Sequence, residues 1–383
     1  MPMVPSAETG APRLADVLAS CRASITGASN LLGLPAVDHA IVLLVDGLGT
    51  SNLRASAGHA RYLASRLTKK ASLPGVFPAT TAVGLGSLCT GAPSGSHGLV
   101  GYRVLDAAND RVVNQLSGWD DEMRPDAWQP LPTQFEQATD DGIPAFAVGP
   151  SRYADSGLSN ALLRGAEYVS AGSVAARLDA ALRVVRENDR ALVYVYVPEL
   201  DMAAHARGWL SDKWVGELEA LDAEVSRFAE SLPASAGLIV TADHGVVDVP
   251  AAKHVLFDTA PQLIDGVRHI GGDPRCLYLY LEPDAAPDAA DTLAAAWRES
   301  EGDRAWVYTR AEAVASGLFG EVAPEVLPRI GDVIVAARKL IAYYDSRETN
   351  LSPRAMIGQH GSLTDEESRV PCLRFGAYAV DAR

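Results

Sequence analysis

Three apolar runs in this 383-residue chain end in side chains able to bind a metal or move a proton. "IVLLV" is followed by Asp46, "YVYVPEL" by Asp201 with His205 four positions on, and "LIVTA" by Asp243 and His244. A further histidine, His360, stands in the glycine setting "IGQHGS". The Asp201-x-x-x-His205 spacing puts both side chains on one face of a helical turn. Carboxylate oxygen and imidazole nitrogen suit Zn²⁺, with Mn²⁺ or Fe as alternatives. Six such ligands exceed the need of one tetrahedral ion and match two. A pair of ions roughly 4 Å apart stabilises the attacking and leaving oxygens of an in-line phosphoryl displacement. A single Asp at a strand end is more often a cap or turn former, so the conjunction carries the reading.

The stretch "GVFPATTAVGLGSLCTG" (75–91) adds two adjacent threonines in front of a small-residue apolar segment. If that segment is helical, Val83, Leu85, Leu88 and Cys89 face the core. Thr81 then stands at a helix N-terminus, where the dipole favours an anion. Thr80 is assigned to capping or packing. His39, His59, His97, His254 and His269 read as surface or satisfied core histidines, His97 least firmly because its glycine-rich loop "SGSHGLVGY" follows the threonine segment. Two decoys are discounted. "VDGLGTSN" lacks the third glycine of a dinucleotide fingerprint, at Asn52. As a haloacid-dehalogenase nucleophile loop it would need Asp where Leu44 stands.

Ligands of open α/β sheets gather beyond the carboxyl ends of the strands, so these residues need such a sheet beneath them. The runs at 39–49, 143–149, 191–200 and 237–245 read as strands buried on both faces. Helical periodicity lies between them, with Val174, Leu178, Leu182 and Val185 in one segment and Val215, Leu218, Leu221, Val225 and Phe228 in another. Strands alternating with helices predict a doubly wound, mainly parallel α/β sheet sandwiched by helices. From about 250 to 335 the pattern changes. "CLYLYLE" alternates like a half-buried strand, and "AADTLAAAWRES" reads as a helix packed on it. This predicts a small α+β cap inserted into one catalytic domain spanning 1–383, rejoined by "GDVIVAA" (331–337).

At 48% hydrophobic, the chain can bury a large core. A formal charge of −15 argues against a nucleic-acid polymer as partner. The four cysteines have no C-x-x-C spacing, which leaves neither a disulfide framework nor a cysteine zinc site indicated. The N-terminus lacks a basic region followed by an apolar one, and no run approaches a membrane span. These features predict a soluble cytoplasmic protein without a membrane partner.

Taken in order, "VDGLG", "FPATT", "PELDMAAHARG", "TADHG" and "GQHGS" resemble the alkaline phosphatase superfamily, in its nucleotide pyrophosphatase/phosphodiesterase-like branch. The match runs from about 41 to 362. The resemblance implies that Asp201, His205 and His360 hold one zinc and that Asp46, Asp243 and His244 hold the other. It places the nucleophile on Thr81, also a ligand of the second zinc, with a phospho-threonine intermediate released by water activated at the first. It also implies an asparagine, three residues after the nucleophile, that donates to a phosphate oxygen. Here that position is Gly84, and losing such a donor costs about 3 kcal/mol of transition-state stabilisation unless another group replaces it. Tyr102 and Arg103 are candidate replacements.

The implied activity is hydrolysis of a small-molecule phosphate ester, either a diester or a nucleotide pyrophosphate. Phosphomonoesterase or phosphonate or sulfate ester hydrolase activity on the same site is the alternative. A monoesterase needs an extra cation, for which Arg152 and Arg103 are candidates; a diesterase needs an apolar or aromatic wall. A metal-free binding module and a manganese phosphomutase fit the motifs less well.

Overall fold

The computed structural model describes residues 10–379, so the start of the N-terminal segment read above for a leader lies outside the described residues. Seven strands form the main sheet, in the order Ser72–Pro74, Arg369–Gly376, Ala236–Thr241, His39–Val45, Ala191–Val197, Ala145–Gly149 and Glu167–Ser170. Only Arg369–Gly376 runs against the rest. The central strand His39–Val45 is buried along its whole length, which its unbroken apolar run requires. Its neighbours are in register with it, Val45 opposite Val197 and Leu44 opposite Thr241, so three carboxyl ends finish side by side.

Helices Val174–Glu187 and Asp212–Ser231 bury the periodic residues Leu178, Leu182 and Val185, and Leu218, Leu221, Val225 and Phe228. The Thr81–Thr90 helix departs from its expected one-sided burial: every residue of it is buried. Small residues make this fit. A Cβ on Gly84 would lie 2.6 Å from the Asp243 Cβ, and one on Gly86 2.5 Å from the His97 ring.

A second, four-stranded antiparallel sheet has the order Val267–Asp273, Cys276–Leu281, Val333–Ala337 and Ala305–Thr309. The strand Cys276–Leu281 alternates as read but is not half-buried. Leu277 and Leu279 pack with Leu293 and Trp297 of the Ala289–Glu301 helix, while Cys276, Tyr278 and Tyr280 face the main core. Tyrosine suits that second face because each hydroxyl finds an acceptor. Tyr278 donates to Val100 O at 2.7 Å and Tyr280 to Arg329 O at 2.6 Å. Val333–Ala337 is an inner strand of this sheet, so the chain returns to the main sheet at Arg369–Gly376 rather than at 331–337.

The two sheets are tied by a buried ion pair. Arg275, in the turn between Val267–Asp273 and Cys276–Leu281, donates to both carboxylate oxygens of Glu367 at 2.7 and 2.6 Å, and both residues are wholly buried. Glu367 in turn accepts from Ser362 N at 3.0 Å, two residues beyond His360. Removing one partner of such a pair leaves an uncompensated buried charge, so Arg275→Met should lower unfolding free energy by about 3–5 kcal/mol in urea denaturation.

His97 is a core histidine. It donates from Nε2 to Ser87 Oγ at 3.0 Å and accepts at Nδ1 from Leu99 N at 3.2 Å. Burial, aided by Arg329, lowers its pKa from 6.5 to about 3. Between those values the unfolded chain takes up a proton that the folded chain refuses, so stability is lost as pH falls. From pH 7 to 4.5 this group should contribute a loss of about 2–3 kcal/mol. His97→Gln should flatten the urea midpoint against pH over that range by a corresponding amount.

Candidate functional site

The three aligned strand ends deliver the carboxylates. Asp46 follows Val45 directly, Asp243 lies two residues beyond Thr241, and Asp201 lies in the first turn of the helix Glu199–Arg207 that follows Ala191–Val197. Gly47 lets the chain turn there at φ +73°; a Cβ on it would approach Asp201 Cβ and Oδ1 to 3.1 Å. His205, one turn after Asp201, meets it at 3.2 Å. His360 arrives from the far end of the chain. It is fixed by an isolated bridge between Ala79 and Gly361 and by its own bond from Nδ1 to Ala79 O at 2.9 Å. The same bridge therefore registers the His360 loop against the residues that precede Thr81.

Two groups result, Asp201, His205 and His360, and Asp46, Asp243 and His244, with the ligand atoms of each lying within 4.8 Å of one another. The groups adjoin, since the rings of His244 and His360 stack at 3.7 Å. All six candidate ligands of the sequence reading are thus brought together.

The histidines are pre-oriented. His205, His244 and His360 each direct Nδ1 to a backbone carbonyl, of Gly358, Gly245 and Ala79 respectively, at 2.8, 3.2 and 2.9 Å. This leaves Nε2 for the interior, the arrangement by which metal-binding imidazoles are held. The carboxylates supply the complementary sign of a cation site. Asp46 Oδ1, Asp201 Oδ1 and Asp243 Oδ2 are buried and, among the described residues, have no hydrogen-bond partner. Unpaired buried carboxylate oxygens are costly, and a cation resolves the cost for all three. Both groups therefore fit a divalent metal with oxygen and nitrogen ligands, such as zinc.

The electrostatics agree. Burial, together with Asp243 and Asp201, drives the Asp46 pKa well up. Burial would raise Asp201 too, but His205 outweighs it and holds that carboxyl below the ordinary range. Burial would lower His205, but Asp201 raises it to about 9. Burial and the stacked His244 push His360 well down.

Thr81 is the first residue of its helix, and its Oγ1 lies 3.1 Å from His244 Nε2. Thr80, read as capping or packing, occupies the N-cap position with extended backbone; its side chain makes no cap hydrogen bond and is buried. A cavity of about 500 Å³ opens beside Thr81, Asp46 and Asp201. Tyr153, Tyr196 and Trp119 stand in its wall, and Arg152 is its only cation among the described residues.

The residues read as substrate contacts are placed as follows. Gly84 packs against Asp243, where a Cβ on it would lie 3.0 Å from the Asp243 backbone oxygen, and it does not line the cavity. Arg103 is committed elsewhere, to Glu348 at 2.9 Å and Ile270 O at 3.2 Å, and neither it nor Tyr102 lines the cavity. Sequence reasoning passed over Tyr196, whose hydroxyl donates to Asp46 Oδ2. Its signal was the two-residue alternation of "YVYV", which puts Tyr194 and Tyr196 on the same side of the strand.

Comparison with known proteins accords with this geometry. The sequence model described as type I phosphodiesterase / nucleotide pyrophosphatase matches residues 40–363. No curated protein matches the sequence. Among solved structures, murine ectonucleotide pyrophosphatase / phosphodiesterase 5 superposes with a TM-score of 0.67 at 16% identity, over 88% of each chain. An inactive Thr-to-Ala variant of that murine protein, in complex with AMP, gives 0.65 at 15% identity over 88% of each chain. Phosphonoacetate hydrolase from Sinorhizobium meliloti 1021, in complex with phosphonoformate, gives 0.68 at 19% identity, over 89% of this chain and 91% of that one. These likenesses share the α/β fold, and the matched span establishes that the chain belongs to the type I phosphodiesterase / nucleotide pyrophosphatase family.

Proposed function

We propose that the protein is a two-metal hydrolase of phosphate diesters that works through a covalent phospho-threonine at Thr81. The observation that carries this reading is the place of Thr81 Oγ1, 3.1 Å from His244 Nε2 at a helix start beside both ligand groups. The inactive Thr-to-Ala variant of the murine protein supports a threonine in this role. Asp201, His205 and His360 would hold one ion and Asp46, Asp243 and His244 the other. Two zinc ions so held would neutralise phosphoryl charge and make the Thr81 hydroxyl easier to deprotonate.

The chain's own residues supply the rest. The first N–H groups of the Thr81 helix have no intrahelical acceptor, and with the helix dipole they favour an anion at that end. Thr81 Oγ bonds to phosphorus as the bond from phosphorus to the leaving oxygen breaks; the hydroxyl proton passes through solvent to the departing alkoxide. Water then attacks phosphorus, the phosphorus–Oγ bond breaks, and a proton from that water restores the threonine. Tyr196, by donating to Asp46, holds that carboxylate in place.

The diester preference rests on charge. A monoester brings one more negative charge, which needs a cation beyond the two ions, whereas among the described residues the only cation lining the cavity, Arg152, is exposed over the Tyr153 ring. In the same reading, the layer of the second sheet is the cap of one catalytic domain. The four free, buried cysteines support a cytoplasmic location.

With Zn²⁺ present, bis-4-nitrophenyl phosphate should turn over faster than 4-nitrophenyl phosphate or 4-nitrophenyl sulfate. Thr81→Ala should lower kcat by at least about 10³-fold, while Thr80→Ala should stay within about 3-fold of wild type. The reverse result for the two threonines would move the nucleophile, and dominant monoester turnover would overturn the diester reading.

A further inference from the structure

Resting on the diesterase reading, we infer that the cavity beside Thr81 binds an uncharged aromatic or branched apolar group of the ester, and that it discriminates against a nucleoside. Besides Asp46 and Asp201, the cavity is lined by the apolar side chains of Cys89, Ala147, Leu162 and Leu163. Its walls are aromatic, and most of their polar atoms are already engaged. Tyr196 donates to Asp46, Tyr168 to Pro150 O at 2.9 Å, and Trp119 Nε1 to Gln115 O at 3.1 Å. Ser156 donates to Ser159 Oγ at 3.0 Å while it accepts from Ser159 N at 3.2 Å.

The Tyr194 hydroxyl is different. Tyr194 is 3% exposed and lines the cavity, and among the described residues its hydroxyl has no hydrogen-bond partner. The lining is mainly apolar and aromatic; of its other polar side chains, Ser117 and Arg152 are exposed and Tyr153 is half-buried, so the chamber suits a ring that carries few polar groups. A nucleobase carries several donors and acceptors on its edge, and burying them without partners loses affinity. Sites select strongly when they hydrogen-bond a polar group; a chamber with few such groups selects for apolar shape.

Ring stacking adds to this preference. Tyr153 meets Tyr196 edge-on, with centroids 5.7 Å apart, so an aromatic substituent can continue an arrangement already present. At the mouth, Met202 is 51% exposed and takes a contact from Arg152 Nη2 at 3.2 Å. A flexible thioether there lets groups of different shape enter.

The test uses three diesters with one leaving group: phenyl 4-nitrophenyl phosphate, methyl 4-nitrophenyl phosphate and thymidine 5′-(4-nitrophenyl phosphate). The phenyl ester should exceed the other two in kcat/KM by about 10-fold or more. Ser117→Trp, at an exposed position on the cavity wall, should remove most of the phenyl-over-methyl advantage in kcat/KM. Calorimetry on the Thr81→Ala protein should show diphenyl phosphate binding more tightly than AMP, a readout independent of turnover. Equal or better use of the thymidine ester, or an equal loss on all three esters in Ser117→Trp, would overturn the inference. Failure of the parent reading looks different: none of the three esters would show metal-dependent turnover that Thr81→Ala abolishes.

Discussion

Three carboxylates at the ends of three adjacent parallel strands are the constraint on which this structure turns. Asp46 and Asp243 are almost wholly buried, Asp201 is partly so, and among the described residues each keeps one oxygen without a hydrogen-bond partner. At Asp46, burial and the like charges of Asp243 and Asp201 together drive the pKa well up. Such a cluster persists only where something else is supplied, and the histidines show what kind of thing. Their outer nitrogens are committed to backbone carbonyls, and their inner ones face the carboxylates. The strand register, the left-handed turn at Gly47 and the close approach at Gly84 all bring these groups within ligand distance of one another.

The chain holds this arrangement with few tethers. The Ala79–Gly361 bridge joins the segment that leads into Thr81 to the His360 loop across more than two-thirds of the sequence. Glu367 continues the chain of contacts, since it accepts from Ser362 N and pairs with Arg275 at the edge of the second sheet. The second sheet is therefore mechanically part of the site although it contributes none of the six ligands. A buried ion pair is a weak source of net stability, but one that loses a partner is costly, and this makes the tether specific.

What could be read from the sequence followed how local its cause was. A strand buried on both faces announces itself by an apolar run, and a residue just past its end must emerge at the sheet edge; this is why Asp46, Asp201, Asp243 and His244 were legible. His360 was legible only through its glycine neighbours, since the partner that fixes it, Ala79, lies 281 positions away. No local pattern could report the Arg275–Glu367 pair, 92 positions apart, or that Gly84 would abut Asp243. Arg103 read as a free cation because its partner Glu348 belongs to a distant loop. The strand Cys276–Leu281 read as half-buried because alternation between leucine and tyrosine resembles alternation between apolar and polar. Both faces are buried, and the tyrosines differ only in needing an acceptor.

The central claim is that the carboxylates are buried for the sake of two cations. The direct measurement is calorimetric titration of metal-stripped protein with Zn²⁺, with bound metal counted by mass spectrometry and unfolding temperature followed in parallel. Two ions per chain should bind and raise the unfolding temperature, because a ligand that binds the folded state stabilises it. Asp243→Asn should weaken binding of one ion while the other is retained. A chain that binds no stoichiometric metal, with no change in unfolding temperature, would contradict the two-cation proposal.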